Sequence, residues 1–410
     1  MAVRPFLHPF AKPAAEDFIT IVRGEGAGVF DQSGRRYVDG LASLWYCNVG
    51  HGRAEIADAV SAQMRTLENY NTFDIFTNEP AEEVSVAIAE RCPMPDSRVF
   101  LTSSGSEAVD TALKLARLTL NRTGERGRHV LVHRRHAYHG VNYGGVSVQG
   151  LPLNREGWGP LLADTAQIEH DDLASAEQLF ATRGDEIAAV IAEPVIGAGG
   201  VYPPSDAYLQ GLRRLCDESG ALLIFDEVIT GFGRLGSWFA SDYYGVIPDL
   251  TIFAKAVTSG YQPLGGVIVG SRVRNALESD RDYLLRHGYT YSGHPTACAA
   301  ALANFAILQA DRLFDRVPLI ADRLGNGLRA LATDGLVAEV RGVGAIWSMV
   351  MLDGVNAVAV RDKMLNLGVI ARPIGTAAIA FCPPLMIGDD DLDLCLSAAR
   401  EALESTVDMA

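Results

Sequence analysis

The sequence lacks the pairings that would give its cysteines a framework. Cys47, Cys92, Cys216, Cys298, Cys382 and Cys395 are scattered over 410 residues with no C-x-x-C pair among them. That argues against a disulfide scaffold and against a zinc site. Isolated thiols of this kind behave as small buried apolar side chains in a reducing compartment. Basic residues are scarce beside acidic ones: 35 Lys and Arg stand against 50 Asp and Glu, a formal net charge of −15. An acidic surface repels a phosphate backbone and an anionic bilayer alike, so neither nucleic acid nor membrane is expected as a partner. No apolar run is long enough to span a bilayer. The longest, "TACAAALANFAILQA" at 296–310, is rich in alanine and reads as a packed helix. The opening "MAVRPFLHPFAKPAAED" has no apolar signal core, and the expected compartment is the cytoplasm. Repeats, low-complexity tracts and Gly/Ser linkers are missing as well.

What is present is an alternation of strand and helix patterns. The first sixty residues carry short runs and turns that read as a small β-meander. Gly24, Gly26 and Gly28 lie in that region, with no apolar strand before them and no helix after, so they mark a hairpin turn and not a dinucleotide site. From about 98 to 270, "RVFLT", "HVLVH", "AAVIAEP", "ALLIFDE", "LTIFAKA" and "GGVIVG" read as buried strands, with helices such as 205–220 between them. This order predicts an α/β fold with a mostly parallel central sheet. A final α+β region follows the 296–310 helix, and Asp389–Asp391 reads as the acidic first turn of a last helix.

In open α/β sheets ligands gather at the carboxyl ends of the strands. Here those ends carry Ser103–Ser106, Glu193, Asp226 and Lys255. Alone, a strand-end Asp is a turn former and a Lys a surface residue. Together they make an uncommon pair. "SSGSEAVDTALKLAR" adds a serine-flanked turn that opens a helix, with Ser106 read as its N-cap; free N–H groups at such an end suit a phosphate. Tyr138, in "AYHG", can stack on a planar ring. His133, His136 and His139 recur every third residue without an accompanying Asp, Glu or Cys, a poor metal pattern. An amine, an acid, a phosphate cradle and a stacking ring match what pyridoxal 5′-phosphate (PLP) requires.

Eight motifs in order carry a resemblance over essentially the whole chain: "DGLASLWYCNVGHG", "SSGSEAVDTALKLAR", "AYHG", "AEPV", "FDEVITGFGRLG", "FAKAVTSGYQPLGG", "HGYTYSGHPTACAAALAN", and "RPIG" ahead of "PPL". The sequence resembles the class III PLP-dependent aminotransferases of fold type I, and within them the ω-amino-acid:pyruvate and amine:pyruvate transaminases. The resemblance implies a large PLP-binding domain over 61–300 and a small α+β domain built from 1–60 and 301–410. It implies a transaminase that passes an amino group from an amine or ω-amino acid to a keto acid by a ping-pong route through a Lys255 Schiff base. It implies Asp226 against the ring nitrogen, Val228 and Tyr138 on the two ring faces, and Ser104, Gly105 and Ser106 around the phosphate. Glu193 matches an acid near the cofactor. Thr290 matches a residue that reaches the phosphate of the neighbouring subunit, which implies a homodimer with shared sites, or a tetramer. Trp45 and the partner-facing Tyr289 resemble pocket walls, Phe10 a residue at the entrance, and Arg372 a grip for substrate carboxylates. Ile229 departs from the glutamine that many class III members place after "DEV", which fits the amine:pyruvate branch. Aminomutases, racemases and decarboxylases share the lysine and aspartate and stay open at this point.

Overall fold

Strands rich in Val, Ile, Leu, Ala and Phe on both faces need cover on both sides. In the computed structural model, which describes residues 5–407, they receive it. Seven strands form one sheet in the order Arg98–Thr102, Gly265–Val269, Leu250–Phe253, Leu222–Asp226, Ile187–Ala192, Val130–Arg134, Thr165–Ile168. Neighbours pair in parallel except Gly265–Val269, which runs antiparallel to both of its neighbours. Successive side chains feed opposite cores. Leu222, Ile224, Leu250 and Ile252 pack with Val109, Leu113 and Ala116 of helix Gly105–Arg122. Leu223, Phe225 and Val190 pack with Leu209, Leu212 and Cys216 of helix Tyr208–Ser219 on the other face.

The expected meander is present as Ile21–Glu25, Gly28–Asp31 and Arg36–Asp39. A fourth strand comes from the far end of the chain: Val369–Ile370 pairs in parallel with Arg36–Asp39. A separate antiparallel sheet unites Glu339–Val343, Ile346–Val350, Ala378–Phe381 and Arg372–Ile374. The last helix, Asp389–Val407, does open on three aspartates, and two of its acids are spoken for by Arg36 and Arg323. Helix Pro295–Ala310 is largely buried, and among the described residues no single helix is long and apolar enough to cross a membrane.

Candidate active site

Pairing register decides which side chains meet. Ala192 lies beside Phe225, and Asp226 beside Ile252, so the residues just past these strand ends come together at one edge of the sheet. There a cavity of about 410 Å³ is lined by Ser104, Gly105, Ser106, Tyr138, His139, Glu193, Asp226, Val228 and Lys255, among others. Most of the sequence-predicted set therefore faces one space.

Asp226 is buried. Its Oδ1 accepts from the Val228 N–H at 3.1 Å and its Oδ2 pairs with His139 Nδ1 at 2.7 Å. The carboxylate is an acceptor, so Nδ1 carries the proton of this bond. Each carboxylate oxygen retains a lone pair for the cavity. Glu193 is buried beside it. Its Oε1 accepts from the Tyr138 N–H at 2.9 Å and its Oε2 from the Gly197 N–H at 3.0 Å, and burial raises its pKa. Glu193 thus fixes the turn that carries Tyr138.

Lys255 follows strand Leu250–Phe253 with a left-handed backbone, φ 51°, an uncommon conformation for a residue with a side chain and a mark of local strain. Its side chain lines the cavity. Burial lowers the amine to about 8, against the opposing pull of Asp226 and Glu193. The free base is thereby populated near neutral pH.

At the opposite wall the cap differs from the sequence expectation. Ser104, not Ser106, is the N-cap: its hydroxyl accepts from the Glu107 N–H at 3.2 Å, while Glu107 Oε2 accepts from the Ser103 N–H at 2.7 Å. The physical reason is the S-x-x-E spacing. Ser104 has a glutamate three residues on and Ser106 has Val109, which cannot return a bond. Ser106 is used differently, its hydroxyl accepting from the Val141 N–H at 3.0 Å. Gly140 permits that approach, since a Cβ there would stand 2.5 Å from the Ser106 hydroxyl.

Trp45 also lies elsewhere than expected. Left-handed backbone at Ala42, Ser43 and Trp45 turns the indole inward, and it packs against Leu41, Val195 and Ile229 in the core. Tyr46 takes the wall position, its hydroxyl 2.6 Å from Ser43 Oγ. Arg372 begins strand Arg372–Ile374, partly buried, and its charge is felt by both Tyr138 and Lys255. Tyr289 and Thr290 lie outside this chain's own cavity: Tyr289 donates to the Glu107 carbonyl at 3.0 Å, and Thr290 is exposed. Phe10 helps to line a smaller recess of about 230 Å³ that shares Tyr138. The spaced histidines part company. His139 serves Asp226, His136 stacks on Tyr202, and His133 is buried with burial pushing it down to about 4. Sequence reasoning missed His139 and Tyr46 as site residues; the one signal was that each adjoins a residue already singled out.

Comparison with known proteins points the same way. A family model described as Aminotransferase class-III matches residues 10–403. The chain is 36% identical to a putrescine–pyruvate aminotransferase of Pseudomonas aeruginosa, over 94% of this chain and 90% of that protein. It is 36% identical to a β-alanine–pyruvate aminotransferase of the same organism, over 93% and 91%. An amine transaminase from an uncultivated Pseudomonas species, solved with PLP bound, superposes with a TM-score of 0.93 at 36% identity, over 99% of both chains.

Proposed function

This chain belongs to the class III aminotransferases, PLP-dependent enzymes of fold type I, and on that premise we propose that it carries an amino group from an amine or ω-amino acid to a keto acid, pyruvate foremost, in two half-reactions. The observation that carries this reading is the convergence of the Lys255 amine and the Asp226 carboxylate on one cavity with Tyr138 and the start of helix Gly105–Arg122. The names of the relatives, which pair amines or β-alanine with pyruvate, support the substrate classes.

The donor set fits the cofactor. Asp226 is the group to hold the ring nitrogen, with His139 behind it keeping the carboxylate in place. Tyr138 and Val228 would flank the ring. Gly105 leaves the space between Val228 and the helix start open, since a Cβ there would press on Val228 Cγ2 at 3.2 Å. Ser104, Gly105 and Ser106, at the positive end of the helix dipole, would hold the phosphate. When bound, PLP supplies an aldehyde for the donor's nitrogen and a ring that stores the electron pair released at the donor carbon. Lys255 is the residue to hold that aldehyde carbon, and its amine is the base that takes the proton from the donor carbon and returns it.

Two expectations follow from charge. Capture of PLP by the apoprotein needs the neutral lysine, so its rate should climb as pH rises and level off above about 8. Visible absorption after mixing reports it, and an inflection near the ordinary lysine value of about 10.4 would contradict the burial argument. Arg372, with a planar fork suited to a carboxylate, is the grip for the keto acid. Arg372→Ala should lower kcat/KM for pyruvate about 10- to 100-fold, the worth of one charge-assisted pair, while an unfunctionalised amine donor changes little. Equal loss in both half-reactions would remove Arg372 from this role.

The site is completed in a homodimer, with Tyr289 and Thr290 serving the neighbouring cavity. Exposed Tyr70, Phe73, Ile75, Phe76 and Tyr291 lie near the loop that carries them and supply an apolar patch for a second copy. The division into 61–300 and a smaller unit from 1–60 and 301–410 belongs to the same reading, supported by the strand that the C-terminal part lends to the N-terminal meander. Six unpaired cysteines fit a cytoplasmic setting. The deciding experiment separates the half-reactions. Donor added alone should yield one equivalent of its carbonyl product per site, and pyruvate added afterwards should yield one equivalent of alanine. Racemisation or decarboxylation without that transfer would overturn the reading.

A further inference from the structure

The loop that carries Tyr289 and Thr290 is tied to helix Gly105–Arg122 by a run of polar contacts that the transamination chemistry does not use. Lys114 Nζ lies 3.0 Å from His287 Nδ1. His287 Nε2 lies 2.9 Å from Thr111 Oγ1. Thr111 Oγ1 lies 3.2 Å from the Tyr289 hydroxyl, which lies 3.0 Å from the Glu107 carbonyl. Glu107, Thr111 and Lys114 sit four and three residues apart, one face of the helix whose first turn is the Ser104–Ser106 cradle.

The donors can be assigned by elimination. An ammonium only donates, so Nδ1 accepts from Lys114 and the imidazole proton sits on Nε2. That proton goes to Thr111 Oγ1. A carbonyl only accepts, so the tyrosine proton goes to Glu107, and the threonine proton goes to the tyrosine oxygen. His287, Thr111 and Tyr289 each donate once, all toward the Glu107 carbonyl. Phe100 closes the far side of the imidazole, stacked at 5.2 Å with 3° between the planes.

We propose that His287 is a positioning residue: a one-way chain of hydrogen bonds from Lys114 through His287, Thr111 and Tyr289 to the Glu107 carbonyl clasps the Tyr289–Thr290 loop onto the cradle helix. The clasp is sensitive to protons. A protonated imidazole presents N–H at both nitrogens, and Nδ1 would then face the Lys114 ammonium as donor against donor and charge against charge. Among the described residues of this chain, the nearby carboxylates are engaged elsewhere. The Glu107 carboxylate is turned to the Ser103 N–H and the Asp110 carboxylate to the Gly145 N–H, while Arg286 on the same loop is exposed. Burial and then Lys114 lower the His287 pKa. The sign follows. A base held neutral in the clasp and freer to charge outside it leaves the clasp at full strength above the ordinary imidazole value of about 6.5, and weakens it as pH falls below that.

The clasp stands on these contacts alone, and only its bearing on PLP binding rests on the cross-subunit role given to Thr290. The test is hydrogen exchange of the 286–292 amides in the PLP-loaded enzyme, corrected for intrinsic rates, from about pH 7 to about pH 5, where imidazole titrates. In the parent protein the protection of this loop should fall on acidification, by up to about tenfold per pH unit for a single proton. His287→Gln can accept from Lys114 and donate to Thr111 but cannot titrate, so it should keep the neutral-pH protection and lose the acid transition. Lys114→Met removes the opposing charge, brings the clasped imidazole closer to its ordinary value and should therefore shrink the acid loss of protection while its onset stays where it is. His287→Leu should show low protection throughout. An acid transition that persists unchanged in His287→Gln, or protection in His287→Leu equal to the parent's, would overturn the clasp. Thr290→Ala tests the cross-subunit role by itself. Unaltered PLP affinity there would remove that role and leave the clasp standing.

Discussion

Asp226→Asn should give a protein that folds and retains PLP but turns over about a thousandfold more slowly, within the span seen when a single preorganised electrostatic partner or its correct tautomer is removed. The size of the loss comes from what surrounds the carboxylate. It accepts from the Val228 N–H and from His139 Nδ1, and it still faces the cavity. An asparagine has one oxygen where the aspartate has two. If that oxygen meets His139, the amide N–H₂ points at the Val228 N–H or into the cavity; if it meets the Val228 N–H, the amide opposes the His139 donor. No orientation satisfies all three directions, and the negative charge that favours a protonated ring nitrogen is lost in each. Binding suffers less, because the phosphate end and the ring faces are held by other residues. The measurement is kcat/KM for an amine and pyruvate alongside the PLP content of the purified variant. Turnover within a few-fold of the parent, with cofactor present, would show that Asp226 does not govern the ring.

The residues that were legible in the sequence are those whose chemistry is fixed by strand position. Leu222–Phe225 admits no polar face, so Asp226 had to stand at a buried strand end, and the same holds for Lys255 after Leu250–Phe253. Strand Thr165–Ile168 was not legible. Two of its four residues are polar, because it forms the sheet edge and buries little. The cap signal was present, since "SGSE" spells a capping box at Ser104, but Ser106 offers a second serine in the same turn and only the glutamate spacing separates the two. Trp45 and Tyr46 could not be separated by pattern: three left-handed residues in four decide which ring faces the cavity, and none of them is a glycine. His139 was hidden by its own spacing. A repeat of three invited a metal reading, whereas the partner was a carboxylate far along the chain. Pattern reports burial and period. Which polar group meets which, across long sequence separations, is set by register and turn geometry.

Arg234, in the motif "FDEVITGFGR", illustrates the same limit, and its replacement is expected to have the largest effect on stability. The side chain is fully buried with no carboxylate bonded to it. Its guanidinium donates to the Ala345 carbonyl at 3.1 Å, to the Pro383 carbonyl at 2.7 Å and to the Asn48 side-chain oxygen. Asn48 in turn donates to the Phe232 carbonyl at 2.8 Å. One side chain therefore joins the N-terminal wall segment, the turn after Asp226 and two stretches of the C-terminal part. Burial lowers its pKa, yet a guanidinium stays charged, and charge-assisted bonds to dipoles offset the desolvation. Arg234→Met would match the bulk and remove every donor, leaving three buried acceptors at about 1–3 kcal/mol each. Partial relaxation and water entry bring the expected net loss to about 3–5 kcal/mol, at the severe end for a single change. Arg234→Lys should recover little of this, because a point charge on a flexible stem cannot span three acceptors. Urea unfolding with reversibility checked reads the loss, and Arg312→Ala, which removes only an exposed ion pair with Asp315, should stay within about 0.5 kcal/mol of the parent. Limited proteolysis adds a spatial readout. Cleavage in Arg234→Met should begin in the 40–50 segment and the 383–388 turn, the pieces that the guanidinium pins. A variant that unfolds within about 1 kcal/mol of the parent would mean that the three acceptors find other partners, and that the arginine is kept in this turn for a reason other than joining the two ends of the chain.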